Sequence, residues 1–443
     1  MLSDDPKPKQ SRLIYLIFAL LISAHFFSYF FRVSASVVFP DLAIKLGMSP
    51  TLTGLISSLY FYSYGIMQPV SGALNDRFGP IKVVSSGLLI SGVGAILHAF
   101  ANSPWRLATG RILFGLGLAP VLSGALVYQA DHFSPSRYTF FAGITHATGN
   151  LGAIISVAPL GIALDKWGQK TVFLALVALT AILSSSLYLS KDYNKQYSHT
   201  KGDKEFPAAT KEILSRLGQA LLGIAKSSQL YSLGIVAAVS FGALMSLQGL
   251  WAVAWAQSVY GSSSSSARIW ATMIGIGVMA GNWVGTQITG SAVHRRFALT
   301  VTSLTNCVFW VILWIGMSVR WPMTVTGVAG FILGMSAGAF FTQTTAGIND
   351  VAKKGHGGAL FGAMNLFPSV GVILFQLLTG GILSRFHGSA INTYTAASFR
   401  VTFGVTGMLV LISQLALFRL GSFSPHMKPD TLLHKSGMEI SHK

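Results

Sequence analysis

The chain has 443 residues, 51% of them hydrophobic and only 10% charged, with 31 Lys and Arg against 13 Asp and Glu and a formal net charge of +18. A soluble domain carries about a quarter of its residues as charges, so there is too little polar surface here to wrap a water-soluble body, and lipid must be the solvent for much of it. The lone Cys307 excludes an internal disulfide framework and a cysteine-built zinc site, and the basic residues, dispersed through short loops between apolar runs, exclude a nucleic-acid partner.

Spans of about 20 residues are read in chain order near 13–39, 51–74, 82–102, 105–130, 138–163 and 171–190, then, after a polar segment, near 229–259, 267–291, 297–318, 322–348, 356–384 and 397–419. The first is too long for the apolar core of a secretory leader and has no small-residue cleavage site. It carries Arg32, in Tyr29-Phe30-Phe31-Arg32-Val33-Ser34. A guanidinium in lipid is costly and marks a functional position facing the bundle interior. His25, Tyr29, Arg32 and Ser36 share one helical face, and Arg suits bidentate capture of carboxylate or phosphate. The competing reading is an Arg that snorkels to the membrane surface.

On the second span Tyr60, Tyr64 and Gln68 share a face. It runs into Gly72-Ala73-Leu74-Asn75-Asp76-Arg77-Phe78-Gly79-Pro80-Ile81-Lys82. Gly72 is small enough for helices to approach closely. Asp76 and Arg77 form a charge cluster at a helix end that can latch one conformation and release it in another. Arg111 opens a Gly-rich face of the fourth span, with Gly115 and Gly117. The fifth span carries His146 and Asn150, and Gly149, Gly152, Pro159 and Gly161. The polar segment 191–228 holds seven Lys and Arg and is expected on the cytoplasmic surface near anionic lipid. On the seventh span Gln248, Trp251 and Trp255 share a face, followed by a flexible external loop at 262–266. Gln343 on the tenth span, and Asn365 and Gln376 on the eleventh, are isolated amides. Amides also bond helix to helix, and Trp and Tyr also anchor helices at the membrane interface.

With both termini cytoplasmic, 21 of the 31 Lys and Arg fall on the cytoplasmic side and eight on the other, leaving Arg32 and Arg111 within spans. This bias predicts both termini inside and an even number of spans. A repeat supports the same count. Gly72 with Arg77 matches Gly290 with Arg295, Ile112 to Gly115 matches Phe331 to Gly334, and Gly161-Ile162 through Gly168 matches Gly381-Ile382 through Gly388, all at nearly one spacing. The expected fold is all-α and polytopic: twelve transmembrane helices in two six-helix pseudo-repeats, 1–190 and 229–420, joined by a 191–228 linker and followed by a 421–443 tail. Two parallel repeats with a site between them are a transporter architecture.

The Gly72 to Lys82 run resembles the signature of the major facilitator superfamily, Gly-x-x-x-Asp-Arg-x-Gly followed by basic residues, in its place between the second and third spans. Arg111 to Gly117 resembles the family's fourth-helix motif, and the Gly/Pro pattern of the fifth span loosely resembles that of antiporters. In the second half, His294 stands at the acidic position and Phe297 follows the basic pair. From Arg32 through Lys82 the chain resembles the anion-transporting branch, which includes hexuronate, galactonate and phthalate permeases and sialin-like carriers. Phe31 to Ser34 and Tyr64 to Pro69 are also similar to the phagosomal nutrient and siderophore transporters of intracellular bacteria. The resemblance implies alternating access, with Gly72, Asp76, Arg77, Gly79 and Arg111 as the conformational latch. Sugar-acid members carry acids where this chain has Phe31 and Leu118, so their route for proton coupling is missing; His25, His146 or Asp131 could substitute, and facilitated diffusion or exchange stays open.

The leading expectation is therefore a transporter that imports a small polar or anionic solute. Its candidate binding residues are Arg32, His25, Tyr29, Tyr60, Tyr64, His146, Asn150, Gln248, Trp251, Trp255, Gln343 and Asn365. No cofactor, metal or catalytic group is implied, because no cluster of ligating or nucleophilic residues is present in the sequence. A proton or another ion is the expected coupling partner of a monomer in the bilayer. Export of siderophores or drugs, and a non-transporting nutrient sensor, are the alternatives. The absence of an Asn-x-Ser/Thr sequon and the short external loops point to a bacterial cytoplasmic membrane.

Overall fold

The computed structural model describes residues 8–190, 206–288, 292–351, 357–386 and 394–419. The expected tail at 421–443, the linker as far as 205, and the side chains of Asp76, His294 and Arg295 lie outside the described residues.

Those residues are helical almost throughout. The helices are α1 (Pro8–Val33), α2 (Ala35–Lys45), α3 (Pro50–Phe78), α4 (Pro80–Ala99), α5 (Pro104–His132), α6 (Pro135–Ile155), α7 (Ala158–Leu189) and α8 (Phe206–Lys226). They continue with α9 (Ser228–Ser246), a π-helical turn (Leu247–Trp251), α10 (Ala252–Tyr260), α11 (Ser264–Ile288), α12 (Ala292–Val319), α13 (Met323–Val351), α14 (Gly357–Arg385) and α15 (Ala396–Ser413). The sequence writes the starts plainly. Pro50, Pro80, Pro104 and Pro135 each stand in the first helical position, where the missing N–H costs nothing. Ser49 caps α3 by accepting from the Leu52 N–H, and Thr395 and Ser398 form a reciprocal capping box on α15. Gly79, at φ +80, reverses the chain between α3 and α4, a conformation reserved for glycine.

Two expected spans and the linker differ from what the sequence pattern predicts. The first is interrupted at Ser34, where the Ser34 and Ser36 hydroxyls bond back to the Phe31 and Val33 carbonyls at 3.1 and 3.0 Å and loosen the helical ladder. The stretch expected as one helix over 138–163 breaks at 156–157, because Pro159 has no N–H to offer the preceding turn; the chain then turns at Gly168, φ +75. The linker expected to be merely polar is helical over 206–226. Ile224 is buried, and Ala220 and Leu217, one and two turns earlier, pack beside it, so α8 lies against α3 and α14.

Nine helical stretches among the described residues are long and apolar enough to cross a membrane. The long helices α3, α6 and α11 are not among them. These three meet partners across the molecule: α3 packs on α14, and α6 on α11. Helices that face protein and a polar interior can carry polar residues that lipid-facing ones cannot. Within the first half α3 packs on α5, α4 on α5 and α7, and α1 on α6. In the second half the corresponding pairs are α11 on α13, α12 on α13 and α15, and α9 on α14. The sequence repeat has the same physical cause in both: a Cβ on Gly115 would stand 2.3 Å from the Tyr60 carbonyl, and one on the matching Gly334 would stand 2.2 Å from that of Ile274, so both helices need glycine at the crossing. Gly72 does not serve that purpose: a Cβ there would meet nothing within 4 Å.

Candidate functional site

Arg32 lies on α1 with 8% of its surface exposed. Its guanidinium carbon is 4.4 Å from the Tyr29 ring centre, 5.0 Å from that of Tyr64, 5.8 Å from Tyr60 and 5.9 Å from Phe61. Tyr29 comes from the same helix one turn earlier; the other three rings come from the middle of α3. The Tyr60 hydroxyl donates to the Ser28 carbonyl at 3.1 Å. Its Nε has no partner. No described carboxylate pairs with it. Arg32 is thus not a surface snorkeller. It is an inward-turned cation held by ring faces, which attract it through their quadrupoles but leave its charge without a counter-ion among the described residues.

The same helical face brings His25 to the Tyr29 ring, 5.0 Å between centres, and α6 brings His146 to 6.4 Å from His25. His25 is 1% exposed, and neither ring nitrogen has a partner. His146 is exposed and Asn150, one turn further on, is buried. Seven of the expected residues therefore fall on three neighbouring helices: Arg32, His25 and Tyr29 on α1, Tyr60 and Tyr64 on α3, His146 and Asn150 on α6.

The residues from the second half are dispersed. Gln248 sits in the π-helical turn with its carbonyl oxygen unpartnered, close to Gly275 and to Ile154 of α6; such turns recur at functional sites. Trp251 donates its indole N–H to Thr379 at 2.9 Å. Trp255 packs on Trp270 and Tyr260 instead, and Gln343 donates to the Gly285 carbonyl at 2.8 Å, tying α13 to α11. Asn365 is half-buried on α14. Phe31 and Leu118 are buried core residues, and Phe31 stacks on Phe114 at 4.1 Å.

Two other buried arginines have acceptors for their terminal nitrogens, although their Nε atoms, like that of Arg32, have no partner. Arg111, on α5, donates to the Phe31 carbonyl at 2.6 Å and the Ser57 carbonyl at 3.0 Å, binding α5 to α1 and α3. Arg268, on α11, makes a two-pronged ion pair with Asp165 of α7. That pair belongs to a set of contacts between the halves at one end of the bundle. The Thr51 hydroxyl donates to Ser384 at 2.7 Å, and the Ala158 N–H donates to Thr272 at 3.3 Å. Phe39 and Pro40 of α2 close on Leu250, Trp251 and Tyr394. Tyr394, in the connection before α15, is partly buried there, which pushes its phenol up to about 12. Phe61 and Asp165 escape the sequence reading; an acid beside an apolar span, in a chain with 13 acids, is the signal that marks Asp165.

The sequence profile described as Major Facilitator Superfamily matches residues 21–376. A probable sulfoacetate transporter, SauU, of Cupriavidus necator is 30% identical over 169 residues, 38% of this chain and 39% of the relative. An uncharacterized transporter, YybO, of Bacillus subtilis is 22% identical over 295 residues, 64% of this chain and 68% of that one. The alignment thus spans about two-fifths of the length of the first relative. A solved structure of a bacterial homolog of the human lysosomal transporter Spinster, inward-facing and unoccupied, superposes with a TM-score of 0.72 at 15% identity, over 94% of this chain and 98% of the other; at that identity the likeness is one of fold.

Proposed function

Since the chain belongs to the major facilitator superfamily, we propose that it is a secondary transporter importing a small organic anion by alternating access, with Arg32 as the anion-binding residue. One observation carries this reading: Arg32 is a buried cation with four aromatic rings around it and, among the described residues, no carboxylate paired with it. A membrane protein keeps an uncompensated charge only where function requires it. The rings pack the substrate's carbon frame, and the two faces of the site are the two six-helix units, residues 1–190 and 229–420. In this reading twelve spans are taken from the apolar runs, both termini are placed in the cytoplasm on the distribution of Lys and Arg, and the short external loops and the missing Asn-x-Ser/Thr sequon are taken as support for a bacterial membrane. In that orientation the closed end, with Asp165–Arg268 and Thr51–Ser384, is the outer one. Access then comes from the cytoplasm, past the exposed His146. Sulfoacetate, the compound named for one relative, carries a carboxylate and a sulfonate on a two-carbon frame and suits a guanidinium walled by rings.

The test is uptake of labelled sulfoacetate, and of a panel of sugar acids, dicarboxylates and siderophores, into proteoliposomes. Wild type is expected to take up an anion from this panel, with Arg32→Gln reducing initial uptake at least about 30-fold, the equivalent of about 2 kcal/mol for losing one partner of a buried charge contact. Uptake of only neutral or cationic solutes, or equal anion uptake by the variant, contradicts the proposal.

A further inference from the structure

His25 lies one turn beyond Tyr29 from Arg32, and the mechanism above does not use it. A neutral imidazole offers one donor and one acceptor, and leaving either unmet in a buried site is costly. Both nitrogens of His25 are unmet at 1% exposure. The backbone of α6 comes so close that a Cβ on Gly149 would stand 2.8 Å from His25 Nε2. The ring is therefore held in place by packing, with its hydrogen-bonding capacity left over.

Among the described residues, no acid is turned toward His25. On its own helix His25 faces Tyr29 and Arg32; from α6 it faces His146. The titratable groups of α5 are turned elsewhere, Arg111 to the Phe31 and Ser57 carbonyls and Tyr128 to the Ile14 carbonyl, while Asp131 is exposed. From α4, His98 is bonded to the Gly94 carbonyl. The π-helical turn contributes Gln248 and Trp251, which do not titrate, and Asp165 of α7 is engaged with Arg268. Arg32 and His25 both touch the Tyr29 ring, at 4.4 and 5.0 Å.

Charge balance then decides what a ligand there brings with it. Arg32 offsets one negative charge. A second one, drawn into the same water-poor space, is uncompensated unless a cation arrives with it, and histidine is the side chain that gains a proton near neutral pH. We infer that His25 is the second half of the anion site: it takes up a proton when a dianion bridges it and Arg32, so that dianions cross together with a proton and monoanions cross without one. This rests on the anion reading of Arg32. The proton comes from water on the side where the dianion enters, resides on the imidazole nitrogen that faces the second acidic group, and leaves with the dianion on the other side. No covalent bond is made or broken.

The experiment is isothermal titration calorimetry on the purified full-length protein, in two buffers of different ionisation heat, which counts protons taken up per anion bound. The probes are sulfoacetate and malonate as dianions and methanesulfonate as a monoanion. Wild type is expected to take up about one proton per dianion and none with methanesulfonate, and its affinity for the dianion should fall about tenfold for each unit of rising pH over the range of uptake. In His25→Gln the uptake disappears, dianion affinity falls about tenfold, the scale of one charge-assisted hydrogen bond, and methanesulfonate affinity stays within about threefold. His146→Gln retains the proton uptake. Dianion binding that depends on Arg32 but takes up no proton in wild type overturns the inference and leaves the anion reading intact. So does uptake that survives in His25→Gln. Binding that is absent, or indifferent to Arg32→Gln, sinks the anion reading and the inference with it. The wild-type proton count decides the matter even where a His25 variant fails to fold.

Discussion

Arg32 and Arg111 approach the same tyrosine ring, at 5.8 and 5.0 Å from the centre of Tyr60, yet they sit in opposite kinds of surroundings. Arg111 is given acceptors by the protein: two carbonyl oxygens from two neighbouring helices receive its terminal N–H groups, although its Nε, like that of Arg32, has no partner. Arg32 is held by ring faces and phenols, and no described anion balances it. Arg268, paired with Asp165, stands on the satisfied side of the same divide. A buried charge whose acceptors are supplied by the fold does structural work, and one whose acceptor is missing is waiting for it. Composition alone cannot separate the two, because each is an Arg in an apolar run.

That contrast can be broken by mutation. The largest stability effect belongs to Arg111→Leu. Removing two charge-assisted hydrogen bonds leaves the Phe31 and Ser57 carbonyls without that donor, at about 1.5–3 kcal/mol each, and unties α5 from α1 and α3. A large fall in melting temperature is expected with and without ligand. A variant as stable as wild type would show that Arg111 is not the tie its geometry describes. Next comes Asp165→Asn, which turns Arg268 into an unbalanced cation like Arg32. Asp165 is 56% exposed at the side chain, so solvent screens the pair, and the expected loss is about 1 kcal/mol rather than the several found for fully buried pairs. Distances between spin labels across the closed end should shift toward the open population in this variant. An unchanged distribution would mean that Thr51–Ser384 and the α2 contacts close that end without the ion pair.

The apolar runs and the internal repeat are written in the sequence because lipid demands about 20 apolar residues of a helix that crosses it. Arg32 is legible for the same reason: a charge stands out where nothing else is charged. Tyr60 and Tyr64 follow from helical spacing, which puts residues four apart on one side. Spacing gives a face but not what the face looks at. Trp255 shares its face with Gln248 and Trp251 yet meets Trp270, and Gln343 is spent on a backbone carbonyl. Neither outcome is decided within one helix. The Asp165–Arg268 pair joins residues 103 positions apart, a relation no local pattern carries. The break at 156–157 was within reach through Pro159, and the apolar side of α8 through Leu217, Ala220 and Ile224. Gly72, in contrast, looks like a helix contact in sequence and faces open space in the fold.

The claim that Arg32 awaits an anion is tested most directly by the thermal stability of the purified protein with and without sulfoacetate, in wild type and in Arg32→Ala. A ligand at about 100 times its dissociation constant stabilises by about 2.7 kcal/mol, a shift easily resolved. The account predicts that sulfoacetate raises the melting temperature of wild type and leaves that of Arg32→Ala unmoved, while the unliganded variant is as stable as wild type or more so, because an uncompensated buried charge has been removed. An equal ligand shift in both proteins, or a variant crippled without any ligand, would place Arg32 with Arg111 among the structural arginines and contradict the account.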